Sequence, residues 1–184
     1  IPDGVYKVTF SFFDRFRSNV RVSNVDILSQ KILRVFSLSP PIINLPLHMG
    51  TVNSANQSAQ PVPINWTRPA NTPFSVNYEL IINELRPSCQ QSYNGMSAHN
   101  AAASRVSQAE LFNCLGPEIY RTTTTALNYN YGMQAEPILK LGAWYSIRLR
   151  AFDDQGRTLF INNGYSTIRV FRYGKPCEPP PRLR

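Results

Sequence analysis

Carboxylates are the first residues to consider for chemistry, because two facing acids can carry out acid–base catalysis. Glu79 and Glu84 lie in one strand-like segment, and a glycosidase needs its two carboxylates to face each other. Their odd spacing places them on opposite faces of a strand, so we expect no such pair. The sequence also has no GxSxG, HExxH, P-loop or Rossmann glycine pattern. We therefore expect no catalytic residues, no cofactor and no enzymatic activity.

A second group of oxygen-bearing side chains lies near the end of the chain. Asp153 and Asp154 are followed by Asn162 and Asn163, and together they could offer oxygens to a calcium ion. Calcium requires about six to eight converging oxygens. Asp and Asn more commonly close turns by bonding to their own backbone, so we favour two turns over a metal site.

Cysteine and histidine spacing gives no sign of a zinc site, because there is no CxxC pair and His48 and His99 are far apart. Cys89 and Cys114 flank a long polar stretch, which favours a disulfide in an exported protein. The alternative is that all three thiols are buried or idle. Cys177 lies in the proline-rich segment GKPCEPPP, where it either pairs with a cysteine elsewhere in a longer parent protein or stays free.

Aromatic side chains are the main candidates for binding. Tyr93, Tyr129, Tyr131 and Trp144 could form a platform for sugar rings or for a protein partner. The alternative is that these rings pack in a core or against a neighbouring domain.

Composition narrows the class of protein. The chain has 184 residues and a net charge of +8, which raises nucleic acid as a possible partner. Its arginines are scattered and no nucleic-acid motif accompanies them, so we expect no nucleic-acid binding. No stretch approaches the roughly 20 apolar residues of a membrane span, and none resembles a secretory signal, so we expect no direct membrane insertion.

The pattern of apolar residues predicts strands. Tyr145, Ile147, Leu149 and Ala151 alternate with polar residues, which is typical of a half-buried strand. The segment FSVNYELIINEL (74–85) alternates in the same way, and VPINWT contains Trp66. The segment EIYRTTTTALNYNYG (118–132) is rich in threonine and tyrosine, which also predicts a strand. Proline-rich turns between such segments favour an all-β fold.

Two hairpins of the sequence repeat one plan. DGVYKVTFSFFD with its return KILRVFSLSPP resembles LGAWYSIRLRAFD with its return YSTIRVFRYG, so Tyr6 corresponds to Tyr145. A repeat of this kind is typical of tandem modules. We therefore expect residues 1–39 to be the last hairpin of a domain that begins outside this sequence. We expect residues 40–174 to form a second domain with a long loop at 86–118, in which HNAAASRVSQAELF could hold a short helix, and 175–184 to form a linker.

The phrase L-x-x-G-x-x-Y-x-I-x-L-x-A, from Leu139 to Ala151, resembles the fibronectin type III signature around the sixth strand. Trp66 matches the tryptophan that this family keeps on its second strand. The resemblance implies an immunoglobulin-like β-sandwich in which Trp66, Tyr145 and Tyr6 are core residues. It also implies that segment 74–85 lies beside segment 143–152, as third and sixth strands do, so that Glu79 faces Arg148 or Arg150. The longer phrase INWT…YELIINEL…LGAWYSIRLRAFD…YSTIRVFRYG is similar to repeated modules of large exported proteins from bacteria with type IX secretion.

This resemblance implies a non-catalytic structural, adhesive or protein-interaction module at the cell surface, associated with the outer membrane, or extracellular. Its expected partners are neighbouring modules of the same protein or other surface proteins. The alternative is a carbohydrate-binding module, for which a glycan would be the ligand.

Overall fold

The computed structural model describes residues 4–9, 12–22, 30–35, 37–52, 61–70, 72, 75–94, 106–134, 136–155 and 159–174. For 4–9, 30–35 and 94 it describes the backbone only. The chain divides into two compact units, Ile1–Ser37 and Leu38–Arg184. The predicted linker 175–184, with Cys177, lies outside the described residues.

The first unit contains an antiparallel hairpin. Strands β1 (Gly4–Thr9) and β2 (Gln30–Val35) pair so that Gly4 lies opposite Val35 and Thr9 opposite Gln30. This confirms the strand pairing expected from the repeat. The predicted burial of Tyr6 concerns a side chain outside the described residues.

The rest of the chain is built mainly of strands, as predicted for an all-β fold. They are β3 (Ser37–Leu38), β4 (Ile42–Leu45), β5 (Gly50–Val52), β6 (Val62–Thr67), β7 (Asn77–Leu85), β8 (Leu115–Thr124), β9 (Asn128–Tyr131), β10 (Trp144–Phe152), β11 (Leu159–Phe160) and β12 (Arg169–Tyr173). Five of them form a sheet in the order β5-β12-β10-β7-β8, and three form a second sheet in the order β4-β6-β9.

Strand β10 occupies the centre of the larger sheet. It runs antiparallel to β7, with Leu149 opposite Leu80 and Ile147 opposite Ile82. This confirms the prediction that segment 74–85 lies beside segment 143–152. On its other side β10 pairs with β12, and β5 extends that edge in parallel.

The two sheets share one hydrophobic core. The period-two pattern of β7 and β10 turns alternate side chains inward, where they meet Ile43, Ile64 and Trp66 from the smaller sheet. Trp66 is buried and contacts Tyr78 edge-on, with 5.6 Å between ring centroids. Tyr145 is also buried in this core.

Segment 86–118 differs from the predicted long loop. It contains helices α1 (Pro87–Asn94) and α2 (Gln108–Asn113), and β8 already begins at Leu115. Ser107 caps α2 through a capping box with Glu110, whose pKa is lowered by hydrogen bonds from Ser107. The strand expected at 118–132 is two strands, β8 and β9, joined at 125–127. Within the described part of the chain, no helix has the length and apolar character needed to cross a membrane.

Candidate interaction surface

A second hydrophobic cluster covers part of the outer face of the five-stranded sheet. Helices α1 and α2 lie on this face, and between them and the sheet a set of side chains is buried. The set comprises Met49, Leu85, Tyr93, Leu111, Trp144, Ile168 and Val170. We call the two helices and this cluster the helical cap. The cap buries one end of the outer face, whereas Arg148, Arg150 and Tyr165 at the other end stay partly exposed.

A disulfide joins the two ends of the cap. Cys89 in α1 is bonded to Cys114, the residue directly after α2, over a sequence separation of 25 residues. The structure thus contains the disulfide predicted from the sequence. Both cysteines pack against the apolar cluster of the cap. Because α2 has only six residues, it gains its stability from this bond, its capping box and its packing.

Two glutamines fasten the helices to the strands below. The Gln108 side-chain oxygen accepts a hydrogen bond from the Ile168 backbone amide at 2.6 Å. The Gln90 side-chain amide donates to the Leu85 carbonyl at 2.7 Å. These bonds satisfy backbone groups where β7 ends and just before β12 begins, so they fix the position of each helix on the sheet.

Three of the four predicted binding aromatics are buried, so the expected exposed platform is wrong for them. Tyr93 and Trp144 are 4% and 3% exposed and pack against each other inside the helical cap. Their ring centroids are 5.6 Å apart and their planes are tilted by 53°. Tyr131 is 2% exposed because it points into the core from β9, and its hydroxyl donates to the Pro137 carbonyl. Burial and nearby charges raise the pKa of Tyr131 to about 12.

The fourth predicted aromatic, Tyr129, is half-buried, and its hydroxyl is hydrogen-bonded within the protein. Its hydroxyl donates to the Glu136 carboxylate at 2.6 Å and also contacts the Tyr120 hydroxyl. Burial, followed by these two hydrogen bonds, raises the pKa of Tyr129. Burial acts to raise the pKa of Glu136, but hydrogen bonds from Tyr129 and from backbone amides outweigh it and lower that pKa. Tyr129 therefore belongs to a local structural network.

The partly exposed end of the outer face carries a cluster of arginines on aromatic rings. The Arg148 guanidinium carbon lies 4.1 Å from the Tyr165 ring centroid and 5.8 Å from that of Phe112. The Arg150 guanidinium carbon lies 5.5 Å from the Tyr165 ring centroid. We call Phe112, Arg148, Arg150 and Tyr165 the arginine face. Phe112 is 57% exposed although it belongs to the short helix α2.

Sequence reasoning missed Phe112 and Tyr165. The alternation of Arg148 and Arg150 with apolar residues does place both arginines outward. The signal that could have located Phe112 is the capping box at Ser107 and Glu110, which predicts a helix start just before it. The contact of Phe112 with Arg148 depends on how α2 packs on the sheet, which local sequence does not determine.

The predicted partner of Glu79 is also corrected. The strand register sets Glu79 opposite Arg150, but its carboxylate binds Arg121 of β8 at 2.7 Å. Arg121 also binds Glu118 at 2.6 Å, and these hydrogen bonds raise the pKa of Arg121 and lower that of Glu118. Among the described residues, Arg148 and Arg150 form no ion pair. Their guanidinium groups lie on aromatic rings instead.

The remaining oxygen-bearing candidates occupy turns. Asp154 accepts a hydrogen bond from the Asn77 side chain at 2.6 Å, and Asp153 accepts one from the Gln155 amide at 3.2 Å. Asn162 and Asn163 adopt left-handed backbone angles, with φ of 54° and 51°. These contacts favour the turn interpretation. Within the described residues, no cluster of three or more His, Cys, Asp or Glu side chains could hold a metal ion.

The two glutamates considered first bind separate cations. The Glu84 carboxylate contacts Lys140 at 2.9 Å, whereas Glu79 contacts Arg121. Neither arrangement gives the two facing acids of a glycosidase.

No protein-family model matches the sequence, and no curated protein is significantly similar to it.

Proposed function

We propose that residues 40–174 are an immunoglobulin-like sandwich of the fibronectin type III kind. In such sandwiches the third, sixth and seventh strands lie together in one of two antiparallel sheets. We leave out β5 and β11 as additions and count the strands from β4 onward. The third, sixth and seventh strands are then β7, β10 and β12, which are neighbours in the larger sheet. The smaller sheet of β4, β6 and β9 supplies the opposite half of the core.

The contact of Tyr145 supports the same proposal. The Lys140 backbone amide, five residues upstream, donates a hydrogen bond to the Tyr145 hydroxyl at 2.7 Å. A tyrosine near the start of the sixth strand that bonds back to the upstream chain is the tyrosine corner of these sandwiches. Burial raises the pKa of Tyr145, whereas the hydrogen bond from the Lys140 amide acts to lower it.

We infer that the module is non-catalytic and works as a structural, adhesive or protein-interaction part of a large exported bacterial protein. The disulfide between Cys89 and Cys114 is consistent with export, because such bonds persist in oxidising compartments. The similarity to modules of type IX-secreting bacteria supports a location at the cell surface, at the outer membrane or outside the cell.

The arginine face is the observation that carries the interaction role. Arg148 and Arg150 are held on rings, so less side-chain freedom is lost when a partner binds them. Arginine and aromatic side chains are also the residue types that dominate binding energy at protein interfaces. The surface is partly exposed and positively charged, and it therefore fits an acidic protein partner.

Site-specific photo-cross-linking tests this role. A photoreactive phenylalanine at position 112 is expected to cross-link a surface or secreted protein of the source bacterium. The same group at Ile138, which is 83% exposed outside the arginine face, serves as the control and is expected not to cross-link it. The change Arg148→Glu is expected to abolish the cross-link while far-UV circular dichroism stays unchanged.

Two outcomes would overturn the interaction role. One is equal cross-linking from positions 112 and 138. The other is retention of the chain on insoluble polysaccharides that is lost in Phe112→Ser, which would support the carbohydrate-binding alternative. That alternative has lost support because three of its four predicted aromatics are buried.

A further inference from the structure

The connection of the first hairpin exposes an unusual number of large apolar side chains. We call residues 12–22, with the sequence FFDRFRSNVRV, the hairpin tip. Phe12, Phe13 and Phe16 are 67%, 53% and 89% exposed. Val20 and Val22 are exposed as well. Clustered exposed apolar residues of this kind mark protein or membrane interaction sites.

The second copy of the repeat keeps Phe13 as Phe152, but it has Ala151 and Gln155 in the places of Phe12 and Phe16. In the second copy of the repeat the corresponding connection begins with DDQG (153–156), which is polar. Both connections start at a Phe-Asp pair, so they perform the same structural task. Phe12 and Phe16 therefore need an explanation beyond turn formation.

Solvent reaches the hairpin tip from both faces and from its end. Phe12 and Phe13 are consecutive in an extended chain, and consecutive side chains of such a chain point to opposite faces. Both are more than half exposed. Phe13 and Arg21 form an antiparallel bridge, and Phe16 lies beyond that bridge in the turn. A flat protein surface would cover only one face, whereas a lipid layer surrounds an inserted tip on all sides.

Several backbone amides of the hairpin tip already have hydrogen-bond partners within the tip. The Asp14 carboxylate accepts hydrogen bonds from the Phe16 and Arg17 amides at 2.8 and 2.9 Å. The Asp14 amide donates to the Val20 carbonyl, and the Val20 amide donates to the Arg17 carbonyl, both at 2.8 Å. The main cost of moving a backbone into lipid is the loss of hydrogen bonds to water. Amides that are already hydrogen-bonded within the protein do not incur this cost.

The charges of the hairpin tip select the kind of lipid. Arg15, Arg17 and Arg21 are exposed, and the one acid, Asp14, is engaged by backbone amides. The Arg15 guanidinium carbon lies 5.9 Å from the Phe16 ring centroid, so charge and ring are adjacent. Arginines at this position favour lipid phosphates and anionic headgroups.

We propose that the hairpin tip docks on an anionic lipid surface. Phe12, Phe13 and Phe16 enter the interfacial layer, and the arginines bind lipid phosphates at its edge. This contact needs no membrane-spanning segment, because only a few side chains leave water. It goes beyond the interaction role of the arginine face and is independent of it.

Vesicle co-sedimentation of the full chain tests the proposal. Vesicles of phosphatidylcholine with about 30% phosphatidylglycerol are expected to bind the chain, and pure phosphatidylcholine vesicles to bind it much less. Phe16→Ser is expected to weaken binding at least about tenfold, because a large ring no longer enters the interface. The matched control is Ile138→Ser, which removes a side chain of similar exposure outside the hairpin tip and is expected to change nothing.

A fluorescence measurement reports the same contact directly. Trp66 and Trp144 are both 3% exposed, so they give a background that lipids do not reach. In Phe16→Trp, brominated lipids are expected to quench the added emission. The proposal is overturned if anionic vesicles fail to bind the chain, if Phe16→Ser binds as well as the parent, or if the emission added by Phe16→Trp is not quenched. Equal binding to uncharged vesicles would overturn the anionic preference.

Discussion

Removing the disulfide of the helical cap is the most informative perturbation of stability. In the double variant Cys89→Ala and Cys114→Ala, α1 and the end of α2 are no longer joined. The cap then depends on its buried side chains and on the hydrogen bonds of Gln90 and Gln108. Between the cysteines lies a mostly polar segment with two short helices. Without the disulfide, we expect this segment to have much more conformational freedom in the unfolded chain than it has in the parent protein.

The size of the effect follows from the loop that the bond closes. The sequence separation of the two cysteines is 25 residues. In the chain-entropy relation, a closed loop of this length lowers the entropy of the unfolded chain enough to stabilise the fold by about 3–4 kcal/mol. The variant also loses two sulfur atoms that pack against the cap, which adds a smaller packing term. We therefore expect the free energy of unfolding to fall by at least about 3 kcal/mol.

Urea unfolding followed by tryptophan fluorescence measures this change. Trp66 and Trp144, the two tryptophans of the chain, both belong to the unit Leu38–Arg184, so the signal reports that unit. Cys177→Ala is the control, and it also serves as the background because it prevents exchange with the third cysteine. We expect Cys177→Ala to unfold like the parent. Near-ultraviolet circular dichroism of the folded double variant should show whether Trp144 and Tyr93 remain in contact.

A loss below about 1 kcal/mol would refute the entropic reasoning, because it would mean that the unfolded chain gains little freedom without the bond. An unchanged transition together with an altered near-ultraviolet spectrum would mean that the cap opens without affecting the sheets. In that case the cap and the core would be separate cooperative units.

Three further changes test the core and its edges. Tyr145→Phe leaves the Lys140 amide without its partner and should cost about 1–2 kcal/mol in urea unfolding. Gly164→Ala should cost more than about 2 kcal/mol in the same assay, because φ there is 81° and a Cβ would collide with the Ala151 carbonyl. Burial, then the charge of Arg169, lowers the pKa of His48, so its contribution to stability is present above about pH 6.5 and is lost as pH falls towards the folded pKa. His48→Asn, which keeps an acceptor for the Val170 amide, should flatten stability below about pH 6.5 in urea titrations at several pH values.

The strands of the fold could be predicted because an alternation of apolar and polar residues marks a strand that buries one face in the core. The inward residues of β7 and β10, such as Leu80 and Leu149, are buried as that pattern indicates. The same pattern places Trp144 on the opposite, outer face, which accounts for the expectation that it is exposed. Its burial depends on α1 and α2, which arrive from a distant part of the sequence.

Of the helical cap only a short helix near α2 could be predicted, because local sequence determines little of the stability of the cap. Helices of eight and six residues are marginal in isolation, and the polar character of segment 86–118 gives no apolar period. The capping box at Ser107 indicates where a helix could start. Which surface that helix covers is decided by the disulfide and by the contact of Leu111 with the sheet cluster.

The cap also links the stability of the fold to the proposed interaction surface. Phe112 is adjacent to the buried Leu111 and two residues before Cys114, so the same anchoring that buries Leu111 holds Phe112 near Arg148. Tyr165, by contrast, is held by the turn after β11 and by its bridge to Arg150. One of the four residues of the arginine face, Phe112, therefore depends on the disulfide and the other three do not. Loss of the disulfide should free Phe112 while Tyr165 and the two arginines keep their places.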